Sequence, residues 1–437
     1  MMKIVITDVY DLKYNYGVQG LVLPLIRKMK KIADVEFTMP VQSAYYNKPN
    51  IEFAEERNIR LLSYWKYSFL IDMLHPFVKF AEKLFFLPGF YKHGKKSGPV
   101  NMYRNLVKSV EEADMVIDMA GIEFIGNSGI KKKWGELLFC RMFQKMSQRH
   151  ATPYFKYTKS YGPLEGFLFR RITKRLLEDL PFLFIRGGNN LEYLRKFNFK
   201  TPLYLFPDVS LVLKPASKSD ATDYLVSLGI DPAKPVIGIS PSRVLSGITS
   251  ADSNNSVGLN HRELSKRLIG EYKSRGFQVL IIPHAMDRID PNKCDFHLAR
   301  ELMDETGEKE NVFITGEELS YSEVRAVIGL LSFYITGRYH SVASALYMGT
   351  PVISLAWHIK YTDIMAEFLD DFLAIDCRKT GIDEAIDLIG KYHNDLSWFD
   401  PKKVRYNRRR IDRQVERSVR MVIEYAQITK LEASFRP

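Results

Sequence analysis

Cysteine is scarce in this chain, which carries only Cys140, Cys294 and Cys377 among its 437 residues. Their wide spacing matches no metal-binding, redox or disulfide pattern, so we expect reduced thiols, no metal site and no cofactor. No stretch reaches the ~18 uninterrupted apolar residues that a membrane-spanning helix needs. The first residues, MMKIVITD, read directly as a strand and predict no signal peptide. These absences favour a cytoplasmic protein.

Positive charge is in excess, with a formal net charge of +12 at pH 7. Such a balance favours an anionic partner, which is a phosphorylated substrate, a nucleic acid or a membrane surface. No RNA-binding or helix-turn-helix pattern accompanies the basic residues, so we expect no nucleic-acid partner. The aromatic, basic segment at 61–96 is compatible with peripheral contact at the inner face of a membrane, or with an insertion packed on the N-terminal domain.

Strand and helix patterns alternate along both halves of the chain, which is typical of mostly parallel sheets covered by helices. Strands are predicted at KIVITD, VEFT, MVID and FLFIR in the first half and at VIGIS, QVLIIP, VFIT and FLAID in the second. A polar, proline-punctuated segment between Leu213 and Pro235 indicates the boundary. We therefore predict two doubly wound, Rossmann-like α/β domains, at 1–212 and 213–400. A basic amphipathic helix is predicted at 401–437.

The stretch from Leu331 to Trp357 reads as a compact βαβ unit. A strand ends near Thr336, a glycine turn follows, and Gly349 terminates a short helix. Arg338 and His340 fall in the first turn of that helix, where the helix dipole disfavours cations. Two interpretations stay open: an anion pocket at the end of a strand, or an arginine paired to a carboxylate beside a packed histidine.

Two other polar groups also follow predicted strands of the second half. Arg243 comes shortly after VIGIS and His284 directly after LIIP. Singly, each is an ordinary loop residue more often than a ligand. Because parallel strands end at one edge of a sheet, both are candidates to share a pocket with Arg338.

The same stretch resembles the C-terminal signature of the polysaccharide pyruvyl transferase family. The family usually reads Gly-x-Arg-Leu-His, a small-residue helix, Gly-x-Pro, an apolar strand and a lysine. Here the sequence reads Gly-Arg-Tyr-His-Ser, then Gly-Thr-Pro, VISLAW and Lys360.

Three earlier stretches are also similar to the family. The family has a Gly-Pro-Leu helix, which YGPL and the basic helix after it resemble. FLFIRGGNN is similar to the family's Arg-Asp-x-x-Ser helix, with Gly187 in place of the acidic residue, and Asp208 is similar to a later aspartate. Asn15 and Gly17 resemble an Asn-x-Gly-Asp loop that has Val18 instead of the acid, and they read equally as a plain turn. Gly121 alone remains of a Gly-Gly-Gly turn.

The resemblance implies a GT-B-like arrangement, in which the two domains face each other across a cleft and the last helix crosses back to the first domain. It implies an enzyme that moves a pyruvyl group from phosphoenolpyruvate onto hydroxyls of a sugar in a polysaccharide or lipid-linked glycan, forming a ketal. It implies catalytic roles for His340 and Arg338. Donor binding is expected at Arg243, Arg338, His284 and Lys360. Acceptor binding is expected at Asn15 and at Glu123, although a solvated carboxylate is the simpler interpretation of Glu123.

Two other function classes remain open on the sequence. A GT-B-type glycosyltransferase with a nucleotide-sugar donor would place Arg338 on a diphosphate and Glu367 or Asp363 on a ribose. A non-enzymatic basic scaffold would bind nucleic acid or anionic lipid.

Overall fold

A computed structural model describes residues 1–64, 99–126, 129–250, 258–288, 290–306 and 310–435. Most of the aromatic, basic segment at 61–96 lies outside these residues, since only its first four positions are described. No described helix has both the length and the apolar character needed to cross a membrane.

The first half of the chain builds a parallel sheet in the order β3-β2-β1-β4-β6. Its strands are β1 (Met2–Thr7), β2 (Val35–Gln42), β3 (Ile59–Tyr64), β4 (Met115–Asp118) and β6 (Tyr154–Lys156). Two short parallel pairs extend this half: β5 (Ile122–Glu123) with β7 (Ser160–Tyr161), and β8 (Leu183–Ile185) with β9 (Leu203–Leu205). Its described helices are α1 (Tyr16–Ile32), α2 (Lys48–Glu55), α3 (Pro99–Glu111), α4 (Ile130–Arg149), α5 (Phe167–Glu178) and α6 (Gly188–Arg195).

The second half builds another parallel sheet, in the order β12-β11-β10-β13-β14-β15. Its strands are β10 (Val236–Ser240), β11 (Gln278–Ile281), β12 (Val312–Ile314), β13 (Phe333–Thr336), β14 (Val352–Ala356) and β15 (Ala374–Asp376). Its described helices are α7 (Lys218–Ser227), α8 (Arg243–Ile248), α9 (His261–Ser274), α10 (Asp295–Glu305), α11 (Tyr321–Ile328), α12 (Tyr339–Met348), α13 (Lys360–Ala366) and α14 (Ile382–Asn394). The predicted mostly parallel α/β organisation is confirmed.

Local sequence signals explain several helix ends. The side chain of Asn15 accepts a hydrogen bond from the Val18 N–H and so begins α1. Ser320 and Glu323 form a reciprocal capping box at α11. Gly349, in the left-handed conformation at φ 81°, ends α12. Arg338 is the N-cap of α12, one position before the first turn where the sequence predicts it.

An apolar core joins the two halves. It includes Leu25 of α1, Tyr321 of α11 and Val342 of α12, all buried. The segment Val209–Val212 forms a buried 3₁₀ turn within it, and α7 occupies part of the polar stretch predicted as a linker.

The last helix, α15 (Pro401–Ser434), contacts both halves of the chain. Its Asn407 amide donates to the Phe368 carbonyl in the second half, at 3.1 Å. Ser418 shares a hydrogen bond of 2.6 Å with the hydroxyl of Tyr157 in the first half.

Candidate active site

A cavity of about 360 Å³ lies where the carboxyl ends of the central strands of both sheets meet. Such a junction between two parallel sheets is a common place for a ligand. Of the residues predicted for the site, the cavity wall contains Asn15, His284, Arg338, His340 and Lys360. It also contains Asp8, Gly121 and Arg186.

Arg338 is paired to a carboxylate, as one of the two sequence interpretations predicts, and it also faces the cavity that the anion-pocket interpretation requires. Its guanidinium forms an ion pair with the buried carboxylate of Asp295, and it also lines the cavity. Its Nε is buried without a hydrogen-bond partner among the described residues. The side chain is therefore held from one side and keeps donor capacity for a ligand on the other.

Asp295, the first residue of α10, organises this edge of the second sheet. Its side chain accepts hydrogen bonds from the N–H groups of Arg243, at 2.8 Å, and Ala285, at 2.9 Å, and pairs with Arg338. It therefore ties together the loops after β10, β11 and β13. Sequence reasoning missed Asp295, because an aspartate in the first turn of a helix is common and its burial is not visible in the sequence.

His340 lies at the start of α12 and packs against α1 in the first half of the molecule. A Cβ at position 17 would lie 2.8 Å from its Nδ1, so a larger residue there would displace the imidazole. Its Nε2 is buried and has no hydrogen-bond partner in the described part of the chain. Burial lowers the pKa of His340 to about 3, although the nearby Asp208 carboxylate opposes this shift. The imidazole is therefore neutral when no ligand is bound.

Arg186, which follows β8, is a cavity cation that the sequence interpretation did not assign. It pairs with the buried carboxylate of Asp208, and its Nε donates to the hydroxyl of Ser160 at 3.0 Å. Its guanidinium carbon lies 4.3 Å from the centre of the Tyr339 ring. The signal was present in the sequence, because this arginine opens the stretch that resembles the family's Arg-Asp-x-x-Ser helix.

Lys360 is surrounded by aromatic rings. Its ammonium lies 4.3 Å from the centre of the Trp357 ring and 5.2 Å from that of Tyr361. In the described chain it forms no ion pair. Burial, together with Arg186 and Arg338, lowers its pKa well below the ordinary lysine value. A bound anion would relieve this repulsion.

His284 is buried beneath His340. Its Nδ1 shares a hydrogen bond of 2.9 Å with the Ser341 hydroxyl, and its Nε2 has no hydrogen-bond partner among the residues described. Burial, followed by the effect of His340, lowers its pKa well below the ordinary value. It is therefore a neutral polar group in the cavity wall.

Two predicted residues lie outside the cavity wall. The Arg243 guanidinium pairs with Glu301 at 3.1 Å, although its neighbours Ser242 and Val244 do line the cavity. Glu123 is buried, and its carboxylate is bonded by the ammonium groups of Lys156 and Lys159. It is neither a solvated loop carboxylate nor exposed to an acceptor in this arrangement.

The residues considered for a nucleotide ribose also lie elsewhere. Asp363 accepts hydrogen bonds from the backbone and side chain of Asn189, at 2.9 and 2.8 Å. Glu367 is absent from the cavity wall, and burial raises its pKa to about 8.

Comparison with known proteins identifies relatives by sequence and by fold. The model of the polysaccharide pyruvyl transferase family matches residues 28–359. No curated protein matches the chain significantly.

Solved GT-B glycosyltransferases and epimerases share the fold. Sucrose-phosphate synthase from Thermosynechococcus elongatus has 14% identity, covers 99% of this chain and 100% of its own, and has a TM-score of 0.58. UDP-GlcNAc 2-epimerase from Methanocaldococcus jannaschii, in complex with UDP-GlcNAc and UDP, has 12% identity, 97% and 100% coverage and a TM-score of 0.55. A glycosyltransferase from Rickettsia africae has 12% identity, 98% coverage of both chains and a TM-score of 0.54. These likenesses confirm the predicted two-domain, GT-B-like fold.

Proposed function

The chain belongs to the polysaccharide pyruvyl transferase family, and from this premise we propose that it moves the enolpyruvyl carbons of phosphoenolpyruvate onto two hydroxyls of a sugar, releasing phosphate and forming a ketal. The observation that carries the proposal is the set of cations around His340. Arg186, Arg338 and Lys360 come from three separate elements and line one cavity.

The charges of this cavity suit a small donor with two anionic groups. The wall contains the cations Lys132, Arg186, Arg338 and Lys360 and the carboxylates Asp8 and Glu136. Phosphoenolpyruvate carries a carboxylate and a phosphate, and an arginine binds either group through two hydrogen bonds. The N-terminus of α12, which no side chain caps, adds backbone N–H groups to the anion site.

His340 supplies the acid–base chemistry of the donor half. It is neutral in the free protein, and a bound anionic donor raises its pKa, because a negative charge favours the imidazolium. The protonated ring then donates to the methylene carbon of the donor as a sugar oxygen attacks the neighbouring carbon. Arg186, Arg338 and Lys360 stabilise the phosphate as it leaves.

A nucleotide-sugar donor is the weaker candidate for this cavity. That reading needs a carboxylate for the ribose, and both Asp363 and Glu367 lie outside the cavity wall. Arg186, Arg338 and Lys360 line one cavity of about 360 Å³, which suits a small donor.

The acceptor is a sugar of a polysaccharide or of a lipid-linked glycan, and the reaction takes place in the cytoplasm without a cofactor or metal. Contact of the 61–96 segment with the membrane would bring the protein to a lipid-linked acceptor. This part of the proposal rests on the sequence of that segment.

Labelled phosphoenolpyruvate tests the proposed reaction. The protein is incubated with ¹³C-labelled phosphoenolpyruvate and a panel of methyl glycosides, and the products are followed by NMR. We expect the vinyl signals to be replaced by a methyl group on a ketal carbon, with one phosphate released per ketal. Phosphate release with all the label in free pyruvate would contradict the proposal.

A further inference from the structure

Asp8 occupies a strained position at the carboxyl end of β1. Its φ of 58° lies in the left-handed region, which asparagine and aspartate adopt more readily than most residues other than glycine. It lines the cavity, and no described residue donates a hydrogen bond to its carboxylate. The left-handed backbone at Asp8 costs conformational free energy, and it places a carboxyl without a hydrogen-bond donor among the described residues at the cavity.

A buried charge cluster lies behind Asp8. One carboxylate oxygen from each of Asp8, Asp118 and Glu123 lies within 4.8 Å of the others. The ammonium of Lys156 bonds to Asp118 and to Glu123, both at 2.7 Å, and Lys159 bonds to the same two carboxylates. The two lysines thus neutralise Asp118 and Glu123, and the carboxyl of Asp8 remains as the surplus acid.

This arrangement raises the affinity of Asp8 for a proton. Burial, followed by repulsion from Asp118, raises its pKa from 3.8 to about 7, and the lysines offset only part of the shift. The titratable groups that interact with it are Asp118, Glu123, Lys156, Lys159, Tyr10 and Tyr64. Asp118 itself stays ionised, because the two ammonium groups outweigh its burial and lower its pKa.

Two other acid–base candidates in the wall, His340 and Glu136, are less suited to deprotonating a hydroxyl. His340 has a pKa of about 3 in the free protein, which makes it a poor proton acceptor near neutral pH. Glu136 is engaged at 2.8 Å by the backbone N–H of Phe124. A general base works best when its pKa lies near the working pH.

We propose that Asp8 is the general base that removes the proton from the attacking hydroxyl of the sugar acceptor. The assignment rests on the proposed function and deepens it, since it places the acceptor against the end of β1 and the donor against the cations of α12 and α13.

The proton balance of the reaction is closed. The first hydroxyl oxygen bonds to the phosphate-bearing carbon of phosphoenolpyruvate and gives its proton to Asp8, while the methylene carbon gains a proton from His340 and becomes a methyl group. The carbon–oxygen bond to phosphate then breaks, and the second hydroxyl bonds to the same carbon. Its proton departs with the phosphate, and the proton on Asp8 returns to His340 through solvent.

Asp8→Asn is the informative variant, since asparagine tolerates the left-handed backbone and mimics the protonated acid. In the wild type, stability falls as pH rises from 3.8 to about 7, because the carboxyl of Asp8 loses its proton in the unfolded chain and keeps it in the folded protein. The margin by which the melting temperature of the variant exceeds that of the wild type should therefore widen between about pH 4 and pH 7 and level off above pH 7. A margin independent of pH would overturn the assignment, and this measurement needs no ligand.

Donor binding and turnover complete the test. Stabilisation by phosphoenolpyruvate should be unchanged in Asp8→Asn. The rate of phosphate release in the presence of methyl glycosides should fall ~10²–10⁴-fold, and it should no longer increase with pH near pH 7. In the control Glu136→Gln, the rate should still increase with pH near pH 7. Wild-type turnover in Asp8→Asn, or loss of its donor binding, would overturn the assignment. Failure of phosphoenolpyruvate to stabilise even the wild type would instead count against the proposed function.

Discussion

Arg338 shows, at the scale of a single residue, how one side chain serves the fold and the ligand together. One side of its guanidinium pairs with Asp295, and its Nε has no partner among the described residues. An unpaired buried donor costs free energy unless a ligand uses it. The pairing with Asp295 therefore does not argue against the proposed role of Arg338 in binding an anion.

Arg338 and His340 should have separable roles. Arg338→Lys keeps the charge and loses the planar fork, so donor affinity should fall roughly tenfold or more while the fold persists. His340→Asn should retain most of the donor affinity and lower turnover ~10²–10⁴-fold. Calorimetry with phosphoenolpyruvate and phosphate-release rates measure the two effects. Wild-type turnover in His340→Asn would end its catalytic assignment.

Asp295 should act on donor binding without touching the donor. Asp295→Asn removes the charge that holds Arg338 and weakens charge-assisted hydrogen bonds, which should cost about 1.5–3 kcal/mol of stability. Urea unfolding measures that loss, and calorimetry should show weaker binding of phosphoenolpyruvate. Glu301→Gln is the matched control, because it releases Arg243 outside the cavity wall. Equal donor affinity in both variants would show that Asp295 does not position Arg338.

At the scale of elements, the unit β13–α12–β14 was the most predictable part of the site. Local sequence patterns predict its strand, its glycine turn and the end of its helix at Gly349, and the structure confirms all three. The position of Arg338 was wrong by one residue, since local sequence does not fix a helix end that lacks a capping side chain.

The start of α1 was only weakly readable from the sequence. Gly17 resembled a family loop or a plain turn, and its role comes from its contact with His340. That contact joins residues that are distant in sequence, so no local pattern contains it.

Gly17→Ala should therefore impair the site more than the fold. Its Cβ would lie 2.8 Å from Nδ1 of His340, and the imidazole would have to move. We expect a clear loss of turnover, measured by phosphate release, with a smaller change in melting temperature. Gly270→Ala in α9 is the control, because its Cβ would meet nothing within 4 Å and should stabilise the helix by about 0.5–1 kcal/mol. Equal activities in the two variants would contradict the assigned contact.

Sequence reasoning did not assign Arg186, Asp295 or Asp8 to the site, although Arg186 opens a stretch that resembles a family motif. Each follows a strand or begins a helix, where polar residues are common, and the identity of each partner depends on the tertiary fold. Arg243 and Glu123 show the converse case. Their positions at strand ends suggested ligand contacts, and the structure places both side chains in ion pairs outside the cavity wall.

At the scale of the whole molecule, the shared core holds the two sheets around the cavity. Tyr16 of α1 donates its hydroxyl proton to the Leu319 carbonyl at 2.9 Å, and the Tyr321 N–H donates to the Gln19 side chain at 3.0 Å. These buried bonds cross between the halves, beside the wall that carries His340. We therefore expect the anion site to be largely formed before the donor binds.

The melting temperature as a function of phosphoenolpyruvate concentration tests the central claim most directly. A ligand that binds only the native state must raise the melting temperature, by an amount that grows with concentration. We predict a saturable rise for the wild type without added metal, a weaker one for Arg338→Lys, and none for a panel of nucleotide sugars. Stabilisation by a nucleoside diphosphate, with no effect of millimolar phosphoenolpyruvate, would contradict the account and favour a nucleotide-sugar transferase.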